Sequence, residues 1–430
     1  MKNLYILFIA FFVFTFSNAQ IVNIPDPVFK DNLVNQPVVD TDNDGYGDAD
    51  ADTNDDGEIQ VSEAEAVIGL YIAVFYINDL EGLQSFINLE IFHCGQQLIT
   101  DIDVSTMPNL RELLIEENQL TSLDVTHNPN LEILRCWSNH ITELDVTQNT
   151  KLIELFCSNN LLTSLNVTQN TDLIDLICSG NQITELNVTQ NIDLDFLHFG
   201  SNNISEIDLT QNFILDRLEC GNNLLSILDI SQNTILTYLN CRNNIISELD
   251  FSNNTLLERV LCNNNQTSTL DLSEAPNLKW LFCNNNQLTN LNIQNGVNIE
   301  LVNMHAQENP DLTCIQVDDP VFANSQICEP FEGWCKDETT VYSEDCSLGL
   351  EDVLQKQISL YPNPAKDVLM VYNESVFEIT CIKVYDTLGK LVLEQNTSYS
   401  QIDISDLATG ILFVKIETDK GLVTKKIIKQ

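Results

Sequence analysis

Cysteine recurs at intervals of 21 residues through the middle of this 430-residue chain. The series comprises Cys94, Cys136, Cys157, Cys178, Cys220, Cys241, Cys262 and Cys283, and the remaining positions in the register hold Ile115, Phe199 and Met304. A fixed period of this length is typical of stacked repeats, each of which buries its apolar face only against its neighbours. Such chains offer long surfaces rather than pockets, which favours binding over catalysis.

Each repeat consists of two half-repeats of similar design. Within residues 152–171, the first half reads L-x-x-L-x-C-x-x-N and the second reads L-x-x-L-x-V-x-x-N. The alternation in each half is typical of a short strand with one buried face, and neither half has room for a helix with an apolar stripe. We therefore predict a mainly β chain whose coils form a flattened solenoid, ~4.8 Å apart, with short parallel strands on both broad faces.

Asparagines recur at the end of each half-repeat. A buried amide both donates and accepts, so stacked asparagines can satisfy the backbone groups that each tight turn leaves unpaired. One predicted ladder comprises Asn139, Asn160, Asn181, Asn202, Asn223, Asn244, Asn265 and Asn286, and the other comprises Asn128, Asn149, Asn170, Asn191, Asn212, Asn233 and Asn254. The cysteines are predicted to act as small buried hydrophobes, since side chains one coil apart are too distant for an easy disulfide and a single file does not suit zinc.

The repeated core L-x-x-L-x-C-x-x-N-x-L resembles the leucine-rich repeat, in its short bacterial form with nested half-repeats. The resemblance covers residues 84–309. It implies a solenoid used for protein recognition or adhesion, and it does not specify the ligand.

The first 19 residues have the features of a secretory signal peptide. Lys2 precedes an apolar run over residues 4–16, and Ser17-Asn18-Ala19 provides small residues before a cleavage site. This run is too short to span a membrane, and no later segment approaches the ~20 apolar residues that a transmembrane helix needs. We therefore expect export without a transmembrane segment.

Residues 351–430 differ in character from the repeats. Alternation over 379–385, 390–393 and 411–416 predicts strands of a small β-sandwich. The motifs Y-P-N-P-A-x-D at 361–367, V-Y-D-x-x-G-K at 384–390 and G-x-x-x-x-K at 421–426 resemble the type A C-terminal sorting domain of type IX secretion. The resemblance implies that the type IX machinery carries the protein across the outer membrane of a gram-negative cell, where it is released or anchored to the surface.

Four irregularly spaced cysteines lie between the repeats and this tail, in residues 310–350. A solenoid end needs a cap, and four cysteines in an exported protein indicate two disulfides with three alternative connectivities. We favour Cys314–Cys346, which closes the cap, with Cys328–Cys335 as a small loop. The remaining Cys381 is expected inside a strand of the tail.

The net charge of −44 excludes nucleic acid as a partner, because phosphates would be repelled, and it favours divalent cations. Within the predicted N-terminal cap, residues 20–83, one acidic segment matches the twelve-residue calcium loop of an EF-hand, with ligands from Asp52, Asn54, Asp56, the Glu58 carbonyl and Glu63. A second acidic loop upstream contains Asp40, Asp42, Asp44 and Asp48 but has no glutamate at its twelfth position. We expect structural Ca²⁺ here, after a short cap helix that includes Phe29 and Leu33.

The two half-repeats differ in their outward positions. The second half is nearly uniform, with stacked Thr and Asp or Asn, whereas the first half varies and is rich in aromatic residues and arginine, which protein interfaces concentrate. The predicted ligand-binding face comprises Arg135, Trp137, Phe156, Phe196, His198, Arg217, Tyr238, Arg242, Arg259, Trp280 and Phe282. A protein ligand is favoured, a glycan stays open because aromatic rows also stack on sugars, and the Thr ladder leaves ice or mineral binding as an alternative.

Catalysis is the function that the sequence favours least. The five histidines are His93, His127, His140, His198 and His305, and His93 and His198 are expected in one column ~24 Å apart. No Ser–His–Asp or Cys–His group is predicted to form within hydrogen-bond reach. We therefore predict no catalytic residues.

Overall fold

The computed structural model describes residues 20–42, 44–72, 76–329, 333–346, 355, 357–374, 378–419 and 421–430. The predicted signal peptide, residues 1–19, lies outside these described residues. The chain divides into two compact units, residues 1–161 and 162–430. Among the described residues, no helix has the length and apolar character that a bilayer crossing requires.

The first unit begins with a cap helix and continues into parallel strands. Its elements are α1 (Pro27–Asn35), α2 (Val61–Ala64), β1 (Gly69–Tyr71), a 3₁₀ turn (Leu83–Ser85), β2 (Ile91–His93), β3 (Glu112–Leu114), β4 (Ile133–Arg135) and β5 (Glu154–Phe156). Helix α1 begins at Pro27, where the Asp26 carboxylate accepts the backbone N–H groups of Val28 and Phe29 at 2.8 and 3.1 Å. The helix buries Phe29 and Leu33 completely.

The second unit contains further solenoid strands and the tail. Its solenoid elements are β6 (Asp175–Ile177), β7 (Phe196–His198), β8 (Arg217–Glu219), β9 (Tyr238–Asn240), β10 (Arg259–Leu261), β11 (Thr269–Asp271), β12 (Trp280–Phe282), β13 (Asn290–Asn292), a 3₁₀ turn (Asn298–Glu300), β14 (Asn303–His305), β15 (Cys314–Gln316), α3 (Pro320–Ser325), β16 (Gly333–Cys335) and β17 (Val341–Ser343). The tail contains β18 (Ile358–Tyr361), β19 (Val368–Asn373), β20 (Ile379–Tyr385), β21 (Leu391–Gln395), β22 (Gln401–Asp403), β23 (Gly410–Thr418) and β24 (Leu422–Lys429).

Within each unit the first half-repeats stack as parallel strands in perfect register. In the first unit β1 to β5 are successive neighbours, and in the second unit the order is β6-β7-β8-β9-β10-β12-β14-β16. The middle residue of each strand faces the core, as at Leu134, Leu218 and Leu281, which are fully buried. One buried residue between two outward ones is the short alternation that the sequence predicted.

The prediction of strands on both faces is wrong for most of the repeats. Among the described residues of the repeats, the second halves form strands only from Thr269 onward, where β11, β13, β15 and β17 pair in that order. The second halves of the earlier repeats form no ladder. Between two neighbouring coils of this region, the Gln182 backbone N–H donates to the Leu162 carbonyl at 2.8 Å. The apolar alternation reports which side of an extended chain is buried, but a ladder also requires close spacing between coils.

The asparagine that ends each first half satisfies the turn as predicted. The Asn160 amide nitrogen donates to the carbonyls of Cys136 and Cys157 at 3.0 and 3.2 Å, and its oxygen accepts the Ile141 N–H at 2.9 Å. These bonds join consecutive coils through groups that would otherwise be buried and unsatisfied.

The second ladder donates but does not accept. Each amide nitrogen bonds two carbonyls of the preceding coil, as Asn233 does with Leu209 and Asn212 at 3.2 and 2.8 Å. Within the described structure, the amide oxygens of Asn191, Asn212, Asn233 and others in this column are buried without a donor. The expectation that every ladder amide would use both functions is therefore wrong for this column.

The cysteine column fills the core, as predicted. Each of the eight cysteines in the 21-residue register is fully buried. Burial raises the pKa of the Cys178 and Cys262 thiols to about 12, so these side chains behave as apolar fillers rather than nucleophiles.

The tail forms two antiparallel sheets, with orders β18-β19-β22 and β21-β20-β23-β24, and Cys381 is buried in β20 as expected. Its core is continuous with that of the cap. Cys314 and Val341 of the cap belong to the same apolar cluster as Ile358 and Leu369 of the tail.

Candidate ligand-binding face

The strands place most of the predicted binding residues in two outward columns. Nine of these residues occupy the first or third position of a strand, on either side of a buried residue: Arg135, Phe156, Phe196, His198, Arg217, Tyr238, Arg259, Trp280 and Phe282. The other two, Trp137 and Arg242, follow the buried cysteine and lie just beyond the strands, in the turn. The structure thus places these nine at outward positions of the strands and puts two at the edge of that face.

In the first unit the predicted face is short, and its arginine, Arg135, already has partners within the chain. Arg135 lies over the Phe156 ring, with its guanidinium carbon 5.1 Å from the ring centroid. It also donates to Glu154 at 3.1 Å through its second terminal nitrogen, and this bond raises its pKa. Arg111 is likewise paired, with Glu132 at 2.8 Å.

In the second unit the first strand position forms a continuous column of alternating rings and guanidinium groups. The register aligns Phe196, Arg217, Tyr238, Arg259 and Trp280 on five successive strands. The guanidinium carbon of Arg217 lies 4.5 Å from the Phe196 ring and 5.3 Å from the Tyr238 ring. That of Arg259 lies 5.6 Å from the Tyr238 ring and 4.2 Å from the Trp280 ring. Each arginine is therefore held between two aromatic faces.

The third strand position contributes a second column beside the first. His198 stacks with Phe196 at 6.2 Å between ring centroids, and Phe282 packs against His305 at 4.7 Å. Burial lowers the pKa of both histidines, which favours the neutral form of each at neutral pH. These uncharged aromatic side chains lie toward the two ends of the second column, and Glu219, Asn240 and Leu261 occupy the positions between His198 and Phe282.

A row of asparagines that the sequence patterns did not predict runs along the turn that follows the face; Asn222 and Asn285 are exposed, and Asn243 and Asn264 are half-buried. Asn222, Asn243, Asn264 and Asn285 all have φ between 54° and 58°, a left-handed conformation that asparagine tolerates. The Asn243 amide donates to Asn222 at 2.6 Å, and the Asn285 amide donates to Asn264 at the same distance. The signal was an asparagine recurring every 21 residues, one position before the first buried ladder.

The opposite, threonine-rich face uses its hydroxyl groups internally. Thr168 donates to Asn166 at 2.8 Å, Thr189 donates to Asn187 at 2.8 Å, and other repeats share this turn. Because the hydroxyl hydrogens of these residues already have acceptors within the chain, the row is less suited to ordering external water or a mineral surface.

The upstream acidic loop brings its carboxylates together. One ligand atom each from Asp40, Asp42 and Asp44 lie within 4.8 Å of one another, whereas Asp48 accepts the hydroxyl and backbone N–H of Thr41. Three carboxylate oxygens at this separation could hold a calcium ion, which takes oxygen ligands.

The downstream EF-hand-like loop uses its acidic groups within the chain. Asp52 accepts the N–H groups of Asp56 and Gly57 at 3.2 and 2.7 Å. Glu63 accepts the backbone N–H of Gln60 and the hydroxyl of Thr53.

The remaining ligand candidates of this loop also have partners within the chain. Glu58 pairs with Lys30 at 2.6 Å, and its carbonyl accepts from Gln60 at 3.4 Å. The Asn54 amide donates to the Gln60 side chain. Calcium in this loop would have to replace several of these contacts.

The cap cysteines pair in the favoured connectivity. Cys314 bonds to Cys346, and Cys328 bonds to Cys335. The first bond closes a segment that includes α3 and strands β16 and β17, so the cap is tied directly to the last coil.

Residues 359–430 match the family model of the secretion system C-terminal sorting domain. No curated protein is similar enough in sequence to be matched with this chain.

Two solved structures from Listeria monocytogenes share the solenoid fold. The functional domain of InlJ, which includes a cysteine ladder, is 23% identical with a TM-score of 0.56, covering 87% of this chain and 93% of that one. The internalin InlF is 21% identical with a TM-score of 0.50, covering 69% of this chain and 91% of that one. The chain is therefore a leucine-rich-repeat solenoid that ends in a secretion system C-terminal sorting domain.

Proposed function

We propose that this protein is displayed at the cell surface or released, and that it recognises a protein ligand through the outward face of its parallel strands. The sorting domain supports export by type IX secretion, and the solenoid supports a binding role rather than a catalytic one. The observation that carries the proposal is the column from Phe196 to Trp280. Aromatic residues and arginine are the side chains that contribute most to protein interfaces.

The column is suited to binding because it is already ordered. Each guanidinium is fixed between rings, so less side-chain entropy is lost when a ligand docks. Tyr238 and Trp280 remain partly exposed, which leaves ring surface for contact. A glycan ligand remains the second candidate, since the same rings and the amide row beside them could contact sugars.

Replacement of Trp280 by alanine is expected to weaken ligand binding by about 2 kcal/mol or more, roughly thirtyfold in Kd. The reason is that the variant loses a large ring and also one wall of the Arg259 site. A ligand captured with the whole protein from the native environment would be purified and titrated by calorimetry against both forms.

The matched control is Thr189→Ala on the opposite face. Its hydroxyl bonds only within its own turn in the structure, so its loss should change Kd little. If the threonine variant loses affinity and the tryptophan variant does not, the binding face is the threonine row.

We also propose that the N-terminal acidic loops bind Ca²⁺ in a structural role. The convergence of Asp40, Asp42 and Asp44 supports the upstream loop, and the ligand spacing from Asp52 to Glu63 supports the downstream one. Carboxylates held this close repel one another unless a cation neutralises them.

Calorimetric titration with Ca²⁺ should show uptake that falls in both Asp40→Ala/Asp44→Ala and Asp52→Ala/Glu63→Ala. Each pair removes two oxygen ligands from one loop, so the two variants report the loops separately. The control is Asp193→Ala, an exposed aspartate in the repeats. Uptake that is the same in all four proteins would show that neither loop binds calcium.

A further inference from the structure

The protein has a net charge of −44, yet two arginines of the binding face have no acidic partner among the described residues. Of the five arginines in the chain, Arg111, Arg135 and Arg217 form ion pairs with glutamates. Within the described part of the chain, the guanidinium groups of Arg242 and Arg259 form no ion pair and no hydrogen bond. In so acidic a molecule, two unpaired guanidinium groups on one face are available to an external anion.

Arg259 is held in a geometry that suits a carboxylate. Trp280 and Tyr238 cover the two faces of its guanidinium at 4.2 and 5.6 Å, and the side chain remains partly exposed. Stacking occupies the flat faces of a guanidinium but leaves the N–H groups at its edge free. Those groups form a rigid fork that matches the two oxygens of a carboxylate.

Arg242 lies on the coil before Arg259, and its side chain is exposed. It packs over Gly221, the residue in the same column of the preceding coil, where an added Cβ would lie 3.1 Å from the Arg242 Cγ atom. A glycine at this position therefore leaves the space that the long side chain occupies. Arg242 adds a second cation at the edge of the same face.

The surroundings restrict the partner. Glu219 is the last residue of β8, and Glu258 directly precedes β10, which begins with Arg259. Most of the solenoid surface is acidic as well. A polymer that carries a negative charge on every unit would be repelled along its length. A partner protein that is basic overall would be attracted to the acidic solenoid surface. One or two carboxylates at the centre of its contact surface would in addition be attracted to the arginines.

We propose that Arg259, assisted by Arg242, receives an aspartate or glutamate of a protein partner whose contact surface is otherwise basic. This inference rests on the proposed function, since it specifies the chemistry of the ligand at the same face. Arg259 supplies the directed pair of donors, and Arg242 supplies additional charge.

A random peptide library displayed on phage, selected against the full-length protein, tests the proposal. Selected peptides should carry aspartate or glutamate flanked by lysine or arginine. Their affinity should fall about tenfold or more in Arg259→Lys, which keeps the charge but loses the planar fork, and less in Arg242→Gln. The control Arg111→Gln lies in the first unit and should leave affinity unchanged.

The outcomes separate this inference from the proposed function. Peptides without acidic residues that bind through Trp280 but not Arg259 would overturn the inference and leave the proposed function standing. Binding that neither Trp280→Ala nor Arg259→Lys reduces would overturn both. A library that yields no peptide, with binding to uronic-acid glycans on an array instead, would replace the protein partner with a sugar. Arg259 is partly exposed, so melting curves of the variants should match those of the parent protein.

Discussion

Deletion of residues 358–430 is expected to abolish transport beyond the periplasm. The deleted segment contains the whole region that matches the sorting domain, so the secretion machinery would have nothing to recognise. Cell fractionation and surface proteolysis of a type IX-competent host should find the truncated protein inside the outer membrane. The full-length chain should be outside or on the surface.

The control for this deletion must separate loss of the signal from loss of folding. The tail shares an apolar cluster with Cys314 and Val341 of the cap, so its removal exposes apolar surface there. The coils between residues 84 and 309 have their own buried core and should keep their circular dichroism spectrum. A folded truncated protein that still reaches the surface would contradict the role of the tail, whereas an unfolded one would show that the cap depends on it.

Replacement of Asn202 by alanine is expected to destabilise the solenoid by about 3 kcal/mol or more. The Asn202 amide donates to the carbonyls of Cys178 and Phe199, both at 3.0 Å, and its oxygen accepts the Ile183 N–H at 3.0 Å. Alanine leaves these buried backbone groups without partners. Urea denaturation followed by circular dichroism measures the loss in the free energy of unfolding.

The neighbouring Asn203 is a matched control for this substitution. It has the same side chain but is exposed, and only its backbone N–H is bonded, to the Ile183 carbonyl at 2.9 Å. Asn203→Ala should therefore change stability by less than about 0.5 kcal/mol. Equal losses of unfolding free energy in the two variants would mean that the hydrogen bonds of the ladder amides do not stabilise the turn.

Much of the architecture could be predicted from the sequence because one pattern is repeated many times. The 21-residue register places each leucine, cysteine and ladder asparagine on the buried side of its coil, as at Leu155, Cys157 and Asn160. A single copy of such a pattern is ambiguous. Stacking requires the same choice at every coil, so the copies support one another.

The predictions that were wrong concern contacts between coils. A period of two residues identified the buried side of the second half-repeats, but a ladder forms only where the backbone N–H and C=O groups of neighbouring coils meet, as they do from Thr269 onward. The shared core of cap and tail brings Val341 and Ile358 into one apolar cluster, and neither residue belongs to the 21-residue repeats. Neither the ladder between second half-repeats nor the shared core of cap and tail can be predicted from the order of apolar residues along one segment.

Some properties of the candidate face follow from the sequence, and others only from the tertiary structure. The sequence determined that Phe196, Arg217, Tyr238, Arg259 and Trp280 occupy equivalent outward positions, since they are separated by the repeat length. Only the tertiary structure decided that each guanidinium lies between two rings, that Arg217 pairs with Glu219, and that Arg259 keeps its donors free. The physical reason is that periodicity fixes which side of the chain a residue faces, whereas the reach and rotamer of each side chain decide which neighbours it contacts.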